Sequence, residues 1–193
     1  MKRVVLLLFA SMLFLTSCDG IKGSGNVVCQ ERTATGFDGL TINGVANVHV
    51  QPGEDFKLEV VTDDNLQEYV LVEVKNNVLH INTLSGVQIR PTKIVVEVHL
   101  PELQSIHLNG VGNVSLSDGS APDLEISLSG VGNIDAQNYQ VQNVAIKHSG
   151  VGKATVWATD SLHGTLSGVG NILYKGNPAV SISVSGVGKV NKL

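Results

Sequence analysis

Two kinds of side chain in this sequence have the chemistry for a reaction. They are six histidines (His49, His80, His99, His107, His148 and His163) and the carboxylates of 17 Asp and Glu residues. Metal-assisted hydrolysis needs several such groups converging on one cation, and general acid–base catalysis needs paired, positioned groups. Their spacing supplies neither. Asp118, Asp123, Glu125, Asp135 and Asp160 fall at different phases of a C-terminal repeat, and no two histidines hold equivalent positions in adjacent repeats. A calcium-binding nonapeptide turn needs Asp after its glycines, where this chain has Asn or Lys. Serines recur before glycines without a matching His or acid, so none is activated as a nucleophile. The sequence predicts no catalytic residue, no metal site and no cofactor, and it reads His148, at an apolar position, as a core imidazole.

One residue sits where context dictates its chemistry. Lys2 and Arg3 precede an apolar run, Val4 to Leu15, too short to span a bilayer. Leu15-Thr-Ser-Cys18 then resembles the bacterial lipobox, in which the cysteine is acylated. Residues 1–17 read as a lipoprotein signal peptide, Cys18 as the lipid attachment site, and the Gly- and polar-rich stretch 18–26 as a flexible tether. The expected mature chain, 18–193, is anchored at a membrane surface without crossing it, in the cell envelope and most simply at the outer membrane. Without Lys2 and Arg3 it carries 11 basic against 17 acidic residues, net −6, which argues against a nucleic-acid partner. Cys29 is then the remaining cysteine. No internal disulfide can form, and Val27-Val28-Cys29 reads as a small buried hydrophobe.

The elements that would position any site follow from a repeated word. Asn109-Gly-Val-Gly-Asn-Val114 recurs from Ser129, Ser149, Ser167 and Ser185, with the first glycines 20, 20, 18 and 18 residues apart. Before each word the chain alternates: Ile106-x-Leu108, Ile126-x-Leu128, Ile146-x-His148, Gly164-x-Leu166, Ile182-x-Val184. One half-buried strand per period at constant phase predicts an all-β, parallel β-solenoid, five coils rising about 24 Å in total. In this reading the glycines turn corners, the word's valines (111, 131, 151, 169, 187) stack inward, and Asn113, Asn133, Lys153, Asn171 and Lys189 form an outward column. Stacked asparagines make amide ladders, and Asn171 keeps the two lysines from repelling. Aromatics are 4% of the chain, so Val, Ile and Leu must carry its burial.

The single domain is assigned to 27–193, with 27–100 irregular and 101–193 regular. Asn43-Gly-Val-Ala-Asn-Val48 is a degenerate word. An insertion follows, with a strand at 56–61, one short helix through Asn65–Tyr69, a hairpin of 70–74 and 78–82 turning at Lys75-Asn-Asn, a vestigial word at Leu84-Ser-Gly-Val87, and a strand at 93–100 stopped by Pro101.

Together the lipobox, Phe37-Asp-Gly-Leu-Thr-Ile-Asn-Gly-Val, Val98-His-Leu-Pro-Glu-Leu and the recurring Gly-Val-Gly-Asn words resemble the head GIN domain family over residues 35–193. This is the auto-transporter adhesin family, long called a domain of unknown function and common in Bacteroidetes lipoproteins. The resemblance implies a right-handed, single-stranded β-helix and brings no binding residues. Ala46 and the short Gly86 word depart from the pattern and put the first coils in doubt. The expected function is a non-enzymatic adhesin or binding module for a surface glycan, matrix or envelope protein. Its candidate face is formed by the columns Ser105/Glu125/Ala145/His163/Ser181 and His107/Ser127/Lys147/Thr165/Ser183. The alternatives are an envelope-stress or structural protein that self-associates into a homo-oligomer through the solenoid edge, and a carbohydrate-active β-helix enzyme.

Overall fold

The computed structural model describes residues 20–193, so Cys18 and the segment read as a signal peptide, 1–17, lie outside the described residues. Strands β1 (Ile21–Lys22) and β2 (Val27–Arg32) precede a first coil built of β3 (Gly39–Ile42) and β4 (Asn47–Pro52). Strand β5 (Lys57–Asp63), a 3₁₀ helix (Asp64–Tyr69) and β6 (Val70–Lys75) lead to β7 (Val78–Thr83), β8 (Ile89–Arg90) and β9 (Ile94–Leu100). The repeat then runs through β10 (Ser105–Leu108), β11 (Val111–Leu116), β12 (Gly119–Leu128), β13 (Val131–His148), β14 (Val151–Leu166), β15 (Val169–Lys175), β16 (Ala179–Val184) and β17 (Val190–Lys192).

The parallel solenoid is as the repeat predicts. A first wall stacks β7, β3, β10, then the ends of β12, β13 and β14, then β16, all parallel. A second wall stacks β9, β4, β11, the starts of β13 and β14, β15 and β17. The long strands β12, β13 and β14 also supply a third wall. Inward columns such as Ile106/Ile126/Ile146 and Val114/Ile134/Ala154/Ile172 are sealed from solvent. Each large aliphatic side chain so buried contributes about 1.5–3 kcal/mol.

The region expected to be irregular is also coiled, but out of chain order. Strands β7 and β9 lie beneath β3 and β4, so residues 78–100 form the bottom coil although they follow the coil above in sequence. The vestigial word, with Gly86 at φ +80°, stands at its corner. Antiparallel strands finish this end: β6 on β7 as the expected hairpin, β5 on β9, and β2 on β5. Asn76 and Asn77 turn the hairpin in the left-handed region. The short helix crosses this end with Leu66 fully buried, and Gln67 donates to the carbonyls of Val28 and Val60. At the opposite end, among the described residues, β16 and β17 pair on one side only.

Coils shorten from 20 to 18 residues between β13 and β14, where the register slips between Ala136 and Gln140. The slack brings Tyr139 fully inside. Its hydroxyl accepts from the Leu103 amide at 3.1 Å and lies 3.3 Å from the Leu103 carbonyl, which gives this buried oxygen the partner it needs.

The stretch expected as a tether is in part docked: Ile21 and Lys22 pair in parallel with Ile89 and Arg90. Cys29, expected in the core, is exposed on β2. Its strand alternates against β5, and Cys29 falls on the outward phase, opposite Val61.

Candidate binding surface

The repeated word forms the corner between the first and second walls. Its valines do not stack inward as the sequence reading expects. Val111, Val131, Val151 and Val169 are each half exposed (49–50%), with Val45 at 51% and Val187 at 73%. Alternation explains the reversal. Val114 points inward, so Gly112 takes the preceding inward position and Val111 the outward one. The second glycine thus occupies a core-facing site where the backbones of adjacent coils touch. A Cβ on Gly132 would lie 1.6 Å from the carbonyl oxygen of Gly112, and its φ of +149° disfavours side chains. Ala46 is accommodated at the equivalent place, where the β4–β9 pairing beneath it begins at Asn47 and Val95.

The outward Asn/Lys column is as expected, and its ladder has a second role. Asn113 Oδ1 accepts both the Nδ2 amide of Asn133 (2.8 Å) and its backbone N–H (3.1 Å). Asn47 serves Asn113 in the same way. Asn133 Oδ1 accepts the Lys153 N–H, and Asn171 Oδ1 the Lys189 N–H. The side chain of one coil therefore satisfies main-chain donors of the next, which a period-two reading cannot anticipate. Before the first glycine runs a further polar ladder, Ser129 to Asn109, Asn109 to Asn43, and Asn43 to Asn82.

These columns together give a shallow, open groove along the corner, floored by first-glycine backbone and flanked by Asn109, Ser129, Ser149, Ser167 and Ser185 on one side and the valines on the other. It repeats a hydroxyl or amide, a bare peptide and a half-exposed isopropyl group once per coil. Single exposed hydrophobes are ordinary, but an in-register row is a contiguous apolar patch of the kind that marks interaction sites.

The two outward columns of the first wall exist as predicted: Ser105, Glu125, Ala145, His163 and Ser181 in one, and His107, Ser127, Lys147, Thr165 and Ser183 in the other. They form a solvated sheet of mixed charge. His148 is buried in the core as read, with Nε2 2.9 Å from the Gly152 carbonyl and Nδ1 without a partner. One column escaped the alignment because it lies in the cap: Glu31, Glu59 and Glu97 stand side by side on β2, β5 and β9. Lys57 reaches Glu59 at 3.0 Å, and His49 reaches Glu97 at 3.2 Å. Desolvation, then the Glu59 carboxylate, pushes the nearby Cys29 thiol above its ordinary value, leaving it a poor nucleophile at neutral pH. Among the described residues, no group of three or more His, Cys, Asp or Glu is arranged to hold a metal ion.

The family whose sequence profile matches this chain is "Putative auto-transporter adhesin, head GIN domain", over residues 36–119 and 109–178. The chain belongs to this family. No curated protein matches it. A solved "putative adhesin" from Bacteroides fragilis is 25% identical, with 90% of this chain and 100% of that one covered at a TM-score of 0.62. A "putative lipid binding protein" from Parabacteroides distasonis is 22% identical, covering 90% and 99%, at a TM-score of 0.49. A "putative adhesin" from Parabacteroides merdae is 23% identical, covering 91% and 99%, at 0.42. The head GIN family and the Bacteroides fragilis structure both carry an adhesin description, and the family groups the chain with proteins of the cell envelope or surface.

Proposed function

We propose that this head GIN protein is acylated at Cys18, sits at the outer membrane, and binds an extended repeating polymer, a surface glycan or matrix chain, along the groove of its words. The observation that carries this is the in-register row of Val45, Val111, Val131, Val151, Val169 and Val187, half exposed or more beside a column of small hydroxyls and amides. A ligand whose units recur at about the 4.8 Å coil spacing meets the same apolar and polar contact at every step. Many weak identical contacts then add by effective concentration rather than through one deep pocket. The binding face moves from the first-wall columns to the word itself. The test is an array of glycans and matrix proteins probed with the full-length protein in detergent: affinity should climb with polymer length, and a best ligand of one or two units would defeat the reading.

A second reading, self-association into a homo-oligomer, is favoured by the one-sided pairing of β16 and β17 among the described residues and by exposed Val180 and Val184 on β16. Such an edge is a template for another strand. Light scattering over a concentration series decides it: a mass that stays monomeric removes this reading.

A further inference from the structure

The residues just after Cys18 are gripped by the fold. Ile21 N–H donates to Gln88, Gly23 N–H to Arg90, and the Lys22 carbonyl accepts from Asn65 Nδ2 at 2.9 Å. Ser24 donates its N–H to Asn65 Oδ1 and its hydroxyl to Asp64. Gly25 N–H donates to Asp63 Oδ1 at 2.8 Å, and Asn26 Nδ2 donates to Asp64 at 2.9 Å. Every residue from Ile21 to Asn26 is thus bonded to the body. Asp63 is the centre of the clamp. It is sealed from solvent, its second oxygen accepts the Thr92 N–H at 2.8 Å, and it fills the space beside Gly23, where a Cβ would lie 2.3 Å from Oδ2.

We infer that the capped end of the solenoid is the surface facing the lipid bilayer, fixed there by the clamp of Asp63, Asp64 and Asn65 on residues 22–26. The inference rests on the Cys18 acylation proposed above. A slack nine-residue glycine-rich linker has a mean span of about 15–18 Å and lets its domain tumble. With the clamp closed, only Asp19 separates Cys18 from described Gly20, a reach of about 7 Å. The clamp lies at the end finished by β2, β6 and the 3₁₀ helix. From β2 the second wall climbs eight strand spacings to β17, about 38 Å. The walls therefore rise away from the membrane and leave the valine row accessible along its length. Lys22, exposed and the third described residue, meets the anionic headgroup layer.

Two measurements on the full-length protein in membranes test this. Trypsin cleaves after Lys22 only where the strand opens. Wild-type membranes should retain the protein, whereas Asn65→Ala and Asp63→Ala should shed a fragment beginning at Gly23 at least ten-fold faster. Asn65→Ala keeps the test sound if loss of buried Asp63 unfolds the cap. Wild type shedding that fragment at the Asn65→Ala rate overturns the inference. In the second measurement, energy transfer to a headgroup acceptor should be strong from a dye on Cys29. It should be weak from Asn191→Cys in a Cys29→Ser background. Equal transfer from both sites, in protein whose mass shows acylated Cys18, overturns this inference alone. Unacylated Cys18 overturns it together with the anchor.

Discussion

One oxygen of Asn113 accepts two hydrogen bonds from Asn133, one from its side-chain amide and one from its backbone. That relationship passes up the second wall until Lys153, which has no acceptor to offer the coil above. Asn133→Ala removes the acceptor of the Lys153 N–H and the donor to Asn113, and should cost about 1–2 kcal/mol. For a domain of this size the melting temperature falls by about 2–8 °C. Lys153→Asn should raise it by completing the ladder under Asn171. Calorimetry of the two variants checks both signs.

The reversed valines give a sharper contrast within one word. Gly132→Ala drives a methyl group into the Gly112 carbonyl at an unfavourable φ, and should cost more than about 3 kcal/mol or prevent folding. Val131→Ser, one residue away and half exposed, should cost less than about 1 kcal/mol. Urea denaturation of the pair reads the difference; equal losses would restore the inward assignment.

Alternation, hairpin chemistry and repeat phase made most of this fold legible. Lys75-Asn-Asn announced the left-handed turn at Asn76 and Asn77, and the Ile106/Ile126/Ile146 column announced the first wall. The orientation of the valines was legible too: counting back in twos from Val114 reaches Gly112, not Val111. What the sequence could not supply is order in space. Nothing local tells β7 and β9 to slide beneath β3 and β4, because that pairing is chosen by tertiary burial rather than by chain neighbours. The grip on residues 21–26 is hidden for the same reason: its acceptors lie some 40 residues downstream at Asp63, Asp64 and Asn65.

Tyr139 reports on the coil shortening. Tyr139→Phe keeps the ring and deletes the hydroxyl, leaving the buried Leu103 N–H without its acceptor. The expected cost is about 1–3 kcal/mol, seen as a lower denaturation midpoint at unchanged slope.

The clamp should respond to acid. Burial alone would raise the Asp63 carboxyl, but the N–H groups of Thr92 and Gly25 hold it below its ordinary value of 3.8. The Ser24 hydroxyl, then the Asn26 amide, lowers Asp64. Both folded values are depressed, so their contribution is complete above the ordinary carboxylate range and is lost as pH falls below about 4. Hydrogen exchange at Gly23 and Gly25 should be slow at pH 5, after correction for intrinsic rates, and lose protection near pH 3. Asp63→Asn should flatten that dependence.

The central claim is that the valine row is the binding surface. The most direct measurement takes the best ligand of the glycan and matrix array and compares wild type with the double variant Val131→Asp, Val151→Asp by surface plasmon resonance. Both sites are half exposed, so unchanged circular dichroism is expected. Affinity should drop at least ten-fold. Undiminished binding by the double variant, with loss instead on substituting Lys147 and Thr165 on the first wall, would contradict the account.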